Sequence, residues 1–223
     1  MVQQTGLANV LSSLVQNAAQ IAPILALILT MVMCIVLGMG VPTTANYVIM
    51  ASMVAPIIMR SLSIPVLAAH MFVFYFGIVA DITPPVALAA YAGSAIAKSN
   101  PMKTGVTATR LAITAFIVPY IFAFSPEMLI IGSDKPWYEI ALLCVTAVIG
   151  IFVISAGMEG FMFKKMNIFE RIIALAGGLC MIIPGLLTDA IGLGLIVLII
   201  VIQKIGQKKE GGTPKKIEQE KAA

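Results

Sequence analysis

Two short stretches hold most of the side chains able to do chemistry. The first is "GMGVPTTAN", which spans Gly38 to Asn46. The second is "DITPPVA", which spans Asp81 to Ala87. Pro42, Pro84 and Pro85 lack an amide donor, so each leaves a carbonyl upstream without its helical partner. Thr43, Thr44 and Thr83 add hydroxyl oxygens, and Gly38 and Gly40 permit tight backbone turns. Asn46 can donate to a carboxylate or offer its carbonyl oxygen to a cation. Neutral oxygens of this kind suit a hard monovalent cation without any buried carboxylate. A single Pro-Thr pair in an apolar helix reads most simply as a kink. Two such breaks, each among small residues and about 40 residues apart, read as a binding site made of discontinuous helices.

The surroundings make the breaks costly. No formal charge occurs from Met1 to Met59, and between Arg60 and Lys98 the only one is Asp81. Non-helical backbone within lipid leaves polar groups unpaired, at several kcal/mol each, unless protein or a watery cavity faces them. Asp81 is the only acid between Met1 and Phe124. An acid in such a place is functional by default, and its plain alternatives are to cap the following half-helix or to pair with a residue on a segment outside this chain. His70, in "LAAHMFVFYF", is expected to make a packing or hydrogen-bond contact before a proton or substrate contact. Phe72, Phe74, Tyr75 and Phe76 are expected to pack on neighbouring helices.

The elements that must hold these residues are helices in a membrane. The chain has 223 residues, of which 60% are hydrophobic and 11% charged, with a mean hydropathy of +1.04. A soluble domain carries about 25% charged residues, so this is an integral membrane protein. Residues 21–59 read as a re-entrant hairpin: an apolar arm from Ile21 to Leu37, the Gly/Pro/Thr tip, and a second arm from Tyr47 to Met59. "SLSIP" is a turn. As one straight helix, Pro65 to Ala97 would measure about 50 Å, more than the roughly 30 Å hydrocarbon core. A break at "ITPP" therefore divides residues 65–97 into two half-helices. "KSNPMKTG" reads as a polar loop and 106–124 as the next span. "SPEMLIIGSDKPW" is a loop. Residues 137–203 form further spans, with "IIPG" inside the one from Ile172 to Leu187 and the last from Gly192 to Ile202. Lys204 to Ala223 reads as a disordered polar tail.

That tail carries six lysines against three glutamates. The positive-inside rule places it in the cytoplasm. Counting back one span at a time, the Lys164/Lys165/Arg171 and Lys98/Lys103 loops also fall inside, with both ends of the hairpin outside. Cys34, Cys144 and Cys180 lie in apolar runs without metal-ligand spacing and read as small buried hydrophobes. The opening residues carry no basic n-region or cleavage site and no inside-positive anchor, so further chain upstream is expected.

Three segments carry a family resemblance: "LGMGVPTTANYVIMASMVAPII", "AAHMFVFYFGIVADITPPVALAAYAGSAIAKSNPMKTG" and "FIVPYIFAFSPEMLI". They resemble the C-terminal half of the large membrane subunit of tripartite ATP-independent periplasmic (TRAP) transporters, and more narrowly the fused permeases of the TAXI subgroup. The closing "ERIIALAGGLCMIIPGLLTDAIGLGLIVLIIVIQ" is similar to the helical extension of those permeases. The resemblance implies an all-α transmembrane fold. Residues 1–126 would be one repeat of an inverted-repeat elevator transporter, residues 137–203 a helical extension and residues 204–223 a cytoplasmic tail.

It implies uptake of a solute driven by a sodium gradient in a bacterial inner membrane. With the half-helix dipoles facing the tip, that solute is expected to be an organic anion, a carboxylate in the first instance. A periplasmic solute-binding protein would deliver the anion. Sodium is the coupling ion, and no other cofactor is implied. Its ligands would be carbonyls or hydroxyls of Gly38, Pro42, Thr43, Thr44, Thr83 and Pro84. Asn46, Pro85 and Asp81 would meet the substrate.

Only one repeat is recognisable. The first hairpin, the first broken helix and the small subunit are partners expected on other chain, fused or separate. The competing reading is a membrane assembly or interaction protein derived from such a permease that no longer transports. An intramembrane enzyme lacks support, because the sequence offers no His/Glu zinc pair and no paired intramembrane aspartates.

Overall fold

The computed structural model describes residues 7–130, 135–183 and 185–210. These residues are helical almost throughout, and no strand occurs among them. The chain divides into two compact units, Met1–Cys144 and Val145–Ala223.

In the first unit, helix α1 (Leu7–Ile21) packs on α2 (Pro23–Gly38) and α4 (Ala55–Leu62). It buries Val15 and Ala18 against Ala26, Met33 and Ile57. The opening stretch is thus an amphipathic helix laid on the hairpin. Proline at the first helical position starts α2, where its missing amide costs nothing. The hairpin's second arm is α3 (Thr43–Met53) followed by α4, jointed at Val54. Ser63, at φ 53, ends that arm.

Helix α5 (Val66–Val79) is the centre of this unit. Phe72 and Phe76 are fully buried in the main cluster with Leu27, Met50 and Ile58. Their rings meet Tyr120 edge-on, with centroids 5.4 and 5.7 Å apart. Phe74 packs edge-on against Tyr47 at 5.4 Å, and Tyr75 against Phe122 at 6.0 Å. The aromatic run therefore packs on neighbouring helices. His70 shares a hydrogen bond of 3.0 Å with the Tyr47 hydroxyl, which ties α5 to the hairpin. After α5 come a 3-10 turn at Ala80–Ile82, irregular chain, and α6 (Leu88–Ile96).

Helix α7 (Pro101–Leu111) and α8 (Ile113–Phe124) form one bent segment, jointed at Ala112. This corrects the reading of "KSNPMKTG" as loop throughout: Pro101 to Gly105 are helical. The Asn100 side chain accepts from the Lys103 amide at 3.1 Å, and Pro101 follows at the first helical position. An N-cap followed by proline is a strong start signal.

Helix α9 (Trp137–Glu159) runs from the end of the first unit into the second, where it leads to α10 (Ile168–Ile182) and α11 (Leu186–Glu210). Two expectations are corrected here. The "IIPG" stretch separates α10 from α11 rather than lying inside a span. The residue before a proline is driven out of the helical region, and Ile183 is accordingly extended, at ψ 115. The Thr188 hydroxyl then donates to the Ile183 and Gly185 carbonyls at 2.8 and 2.7 Å. The last span therefore starts at Leu187, not Gly192. At the other end, α11 continues to Glu210, so the tail is helical as far as that residue. Lys, Gln and Glu are good helix formers and extend a helix already nucleated. The rest of the tail, 211–223, lies outside the described residues.

Among the described residues, four helical segments are long and apolar enough to cross a membrane: Thr43–Leu62, Pro101–Phe124, Trp137–Glu159 and Leu187–Ile205. Pro23–Gly38 and Val66–Ile82 are shorter and apolar. The protein is an all-α transmembrane chain containing a helical hairpin and a broken helix.

Candidate functional site

At the hairpin tip, α2 stops after Gly38. The Met39 amide donates to the Val36 carbonyl at 3.4 Å, and the Val41 amide to the Gly38 carbonyl at 3.3 Å. Gly40 has φ +76, a conformation that favours glycine, and this reverses the chain. Pro42, at φ −55 and ψ 141, precedes the first residue of α3. The first amides of α3, on Thr43, Thr44 and Ala45, have no intrahelical acceptor. Pro42, Thr43, Thr44 and Ala45 are all exposed. The tip thus presents unpaired amides and two hydroxyls outward.

One turn into α3 the chemistry turns inward. Asn46 is 1% exposed, and its Nδ2 donates to the Gly77 carbonyl at 2.8 Å. Its Oδ1 is buried and has no hydrogen-bond partner. The amide occupies space made by two glycines. A Cβ on Gly38 would sit 2.6 Å from Asn46 Nδ2 and 3.1 Å from the Ala80 Cβ, and a Cβ on Gly77 3.1 Å from the same nitrogen. The end of α2, the first turn of α3 and the end of α5 therefore meet at one amide group. The two interruptions of the sequence are brought together there.

The broken helix is held by its own side chains. The Thr83 hydroxyl donates back to the Val79 carbonyl at 2.7 Å, and the Thr83 amide reaches the Ala80 carbonyl at 3.3 Å. The Thr83 carbonyl accepts from the Ala87 amide at 3.1 Å. Ala87 itself is left-handed, at φ 35. The Tyr91 hydroxyl donates to the Pro85 carbonyl at 2.7 Å, and the Thr109 hydroxyl to the Ile82 carbonyl at 3.0 Å. Tyr91 and Thr109 thus occupy two of the carbonyls within the break. Sequence reasoning missed both. Tyr91 lies six residues beyond Pro85, close enough to have been considered, but Thr109 stands 27 residues from Ile82.

The remaining sequence candidates are placed as follows. Pro84 packs toward α7, where a Cβ on Gly105 would lie 3.1 Å from its Cγ. Pro85 is exposed, and Asp81 and Thr83 are partly buried. Asp81 does not cap the second half-helix, since α6 begins after Ala87 with no side-chain cap bond. The Asn46 junction gathers Gly38, Asn46, Gly77 and Ala80. Pro42, Thr43 and Thr44 stand at the exposed tip just outside it.

Removing the Tyr91 hydroxyl provides a local check. Tyr91→Phe leaves the Pro85 carbonyl without its partner and is expected to cost about 1 kcal/mol. Thermal unfolding of the purified protein in detergent measures it.

Interrupted helices joined at a buried polar junction, with four membrane-length segments among the described residues, are an arrangement that suits a membrane transport protein. The family model described as "Tripartite ATP-independent periplasmic transporter, DctM component" matches residues 1–137. The chain belongs to that family, a family of transporters and not of enzymes. Large components of such transporters work with a periplasmic binding protein and a small membrane subunit. No match was found among curated proteins or among solved structures.

Proposed function

We propose that this chain supplies one repeat of a sodium-driven elevator permease. It takes up an organic anion handed over by a periplasmic binding protein, with its C-terminus in the cytoplasm of a bacterial cell. The observation that carries the reading is Asn46 Oδ1, a buried acceptor without a partner where the two interruptions meet. A buried carbonyl oxygen left unpaired costs about 1–3 kcal/mol, and a cation cancels that cost. With Nδ2 given to Gly77, the atom left over on Asn46 accepts and does not donate. It therefore serves a cation better than it serves a carboxylate. Asn46 thus joins Gly38, Pro42, Thr43, Thr44, Thr83 and Pro84 on the sodium side.

The anion falls to the exposed tip. Unpaired amides at the start of a half-helix, with the positive end of its dipole, favour negative charge. Pro85 borders the same break. Asp81 repels an anion and raises the local affinity for sodium. The missing repeat and the small subunit complete the site, either fused to this chain or as separate chains.

Uptake by the assembled transporter in proteoliposomes tests the reading. Thr43→Val with Thr83→Val is expected to lower uptake at least roughly tenfold at limiting sodium, with recovery as sodium is raised, since each lost hydroxyl ligand weakens cation binding by about 1 kcal/mol. Unchanged uptake and unchanged sodium dependence would falsify the assignment. Inhibition of uptake by carboxylates but not by neutral sugars is expected for the solute. A transporter that carries only neutral solutes would exclude the anion.

A further inference from the structure

The second unit lies outside the region that matches the family. One of its ends carries an unusual surface. Phe161, Phe163, Ile168 and Phe169 are exposed, Ile168 and Phe169 at 73% and 80%. They stand where α9 ends and α10 begins, beside the end of the α11 span at Ile205. At 23 residues, α9 is about 35 Å long, enough to cross the hydrocarbon core with its ends in the two interfaces. Exposed Trp137 and Tyr138 mark its first turn, as aromatic residues mark a membrane interface. The phenylalanine end therefore lies at the opposite interface.

That end is basic. Lys165 and Lys204 are exposed. The Lys204 ammonium sits over the Phe163 ring, 6.0 Å from its centroid. Lys165 pairs with Phe161 in an isolated antiparallel bridge. Beneath them is a buried polar knot. The Lys164 amide donates to Gln203 Oε1 at 3.0 Å, and Gln203 Nε2 donates to Glu170 Oε2 at 2.7 Å. Glu170 also accepts from the Asn167 amide at 3.0 Å, closing a capping box. Gln203 is fully buried and Glu170 7% exposed. Arg171 is used within the fold, donating to the Gly157 and Met158 carbonyls at 2.9 and 2.7 Å. Glu170 is thereby turned inward, where it also lies 3.9 Å from the Lys164 ammonium, while Lys165 and Lys204 stay exposed and the Lys204 ammonium is held over the Phe163 ring.

We propose that this end of the second unit binds anionic phospholipid headgroups. The acyl chains would lie along the apolar helix faces, the phenylalanines would enter the headgroup boundary, and Lys165 and Lys204 would meet the phosphate. The complementarity is one of charge and of level. A lysine near an anionic surface is worth about 1 kcal/mol, and these two stand at the height where headgroup phosphates lie.

The test uses the full chain in nanodiscs of phosphatidylcholine mixed with phosphatidylglycerol, with retained lipid counted by native mass spectrometry. The expected result is retention of phosphatidylglycerol over phosphatidylcholine, reduced roughly tenfold in Lys165→Gln/Lys204→Gln and kept in Lys165→Arg/Lys204→Arg. Circular dichroism confirms that the variants remain helical. Equal retention of the two lipids overturns the proposal. So does a glutamine variant that keeps the preference, because other lysines of the chain would then carry it. Displacement of the retained lipid by inorganic phosphate alone also overturns it, since that marks an anion site without lipid recognition.

Discussion

Gly38→Ala is expected to reduce uptake by the assembled transporter about tenfold or more, although it adds a single methyl group. The added Cβ would lie 2.6 Å from Asn46 Nδ2, and that amide has nowhere to go. It is 1% exposed, bonded to Gly77 and flanked by a second glycine. Expelling it leaves the Gly77 carbonyl bare and parts the hairpin tip from the broken helix. An unsatisfied buried acceptor costs about 1–3 kcal/mol, and about 1.4 kcal/mol is a factor of ten in a population. Asn46→Ala is expected to give the same phenotype by removing the amide itself. Asn46→Asp separates two roles. As a carboxylate it still accepts a cation but no longer donates to Gly77. Strong loss of uptake in all three variants means that the link between the breaks is needed. Survival of the aspartate variant alone means that only the cation ligand matters. Wild-type uptake in Gly38→Ala would sink the junction as a functional element. Gly93→Ala is the control, because no atom lies within 4 Å of the added Cβ.

The largest effect on stability is expected at Gly178. A Cβ there would meet the Gly150 carbonyl oxygen at 2.7 Å and Ile154 Cγ1 at 2.5 Å. Ile154 could turn aside, but the carbonyl belongs to the α9 backbone. Helices α9 and α10 must therefore separate, and α10 also packs tightly on α11: a Cβ on Gly192 would lie 3.0 Å from the Gly177 carbonyl oxygen. Small residues let membrane helices approach closely, and their packing is much of what holds such helices together. Gly178→Ala is expected to cost about 1–3 kcal/mol, the range for forced overpacking. Gly178→Leu is expected to prevent close association of the two helices. Gly194→Ala, on an open face of α11, is expected to be neutral or to stabilise by up to about 1 kcal/mol, through helix propensity. Unfolding in mixed micelles measures all three. Equal stability of the Gly178 and Gly194 variants would show that α9 and α10 do not pack through their glycines.

Both predictions rest on contacts that a linear reading does not supply, yet much of the architecture is legible in the chain. The breaks at Gly38 to Asn46 and Asp81 to Ala87 are local events. Proline removes a donor and glycine permits φ +76 at Gly40 whatever surrounds them, so both places could be named from residue types. The start of α7 is equally legible in Asn100-Pro101, although the polar composition of the segment also suits a loop. The boundary at "IIPG" was visible as well. Hydropathy ran through the proline without a pause, whereas the backbone could not.

The linear chain alone discloses the protein's solvent, its helical class and the positions of its interruptions. These follow from composition and from restrictions that act within a few residues. It takes the folded molecule to show that Asn46 meets Gly77 across 31 residues, that Thr109 reaches Ile82 across 27, and that Gln203 closes on Glu170 across 33. The physical reason lies in the membrane helices themselves. A helix that is apolar on every side carries no stripe to show which face packs, so the pairing is decided by where small residues let backbones approach and where the few buried polar atoms find partners.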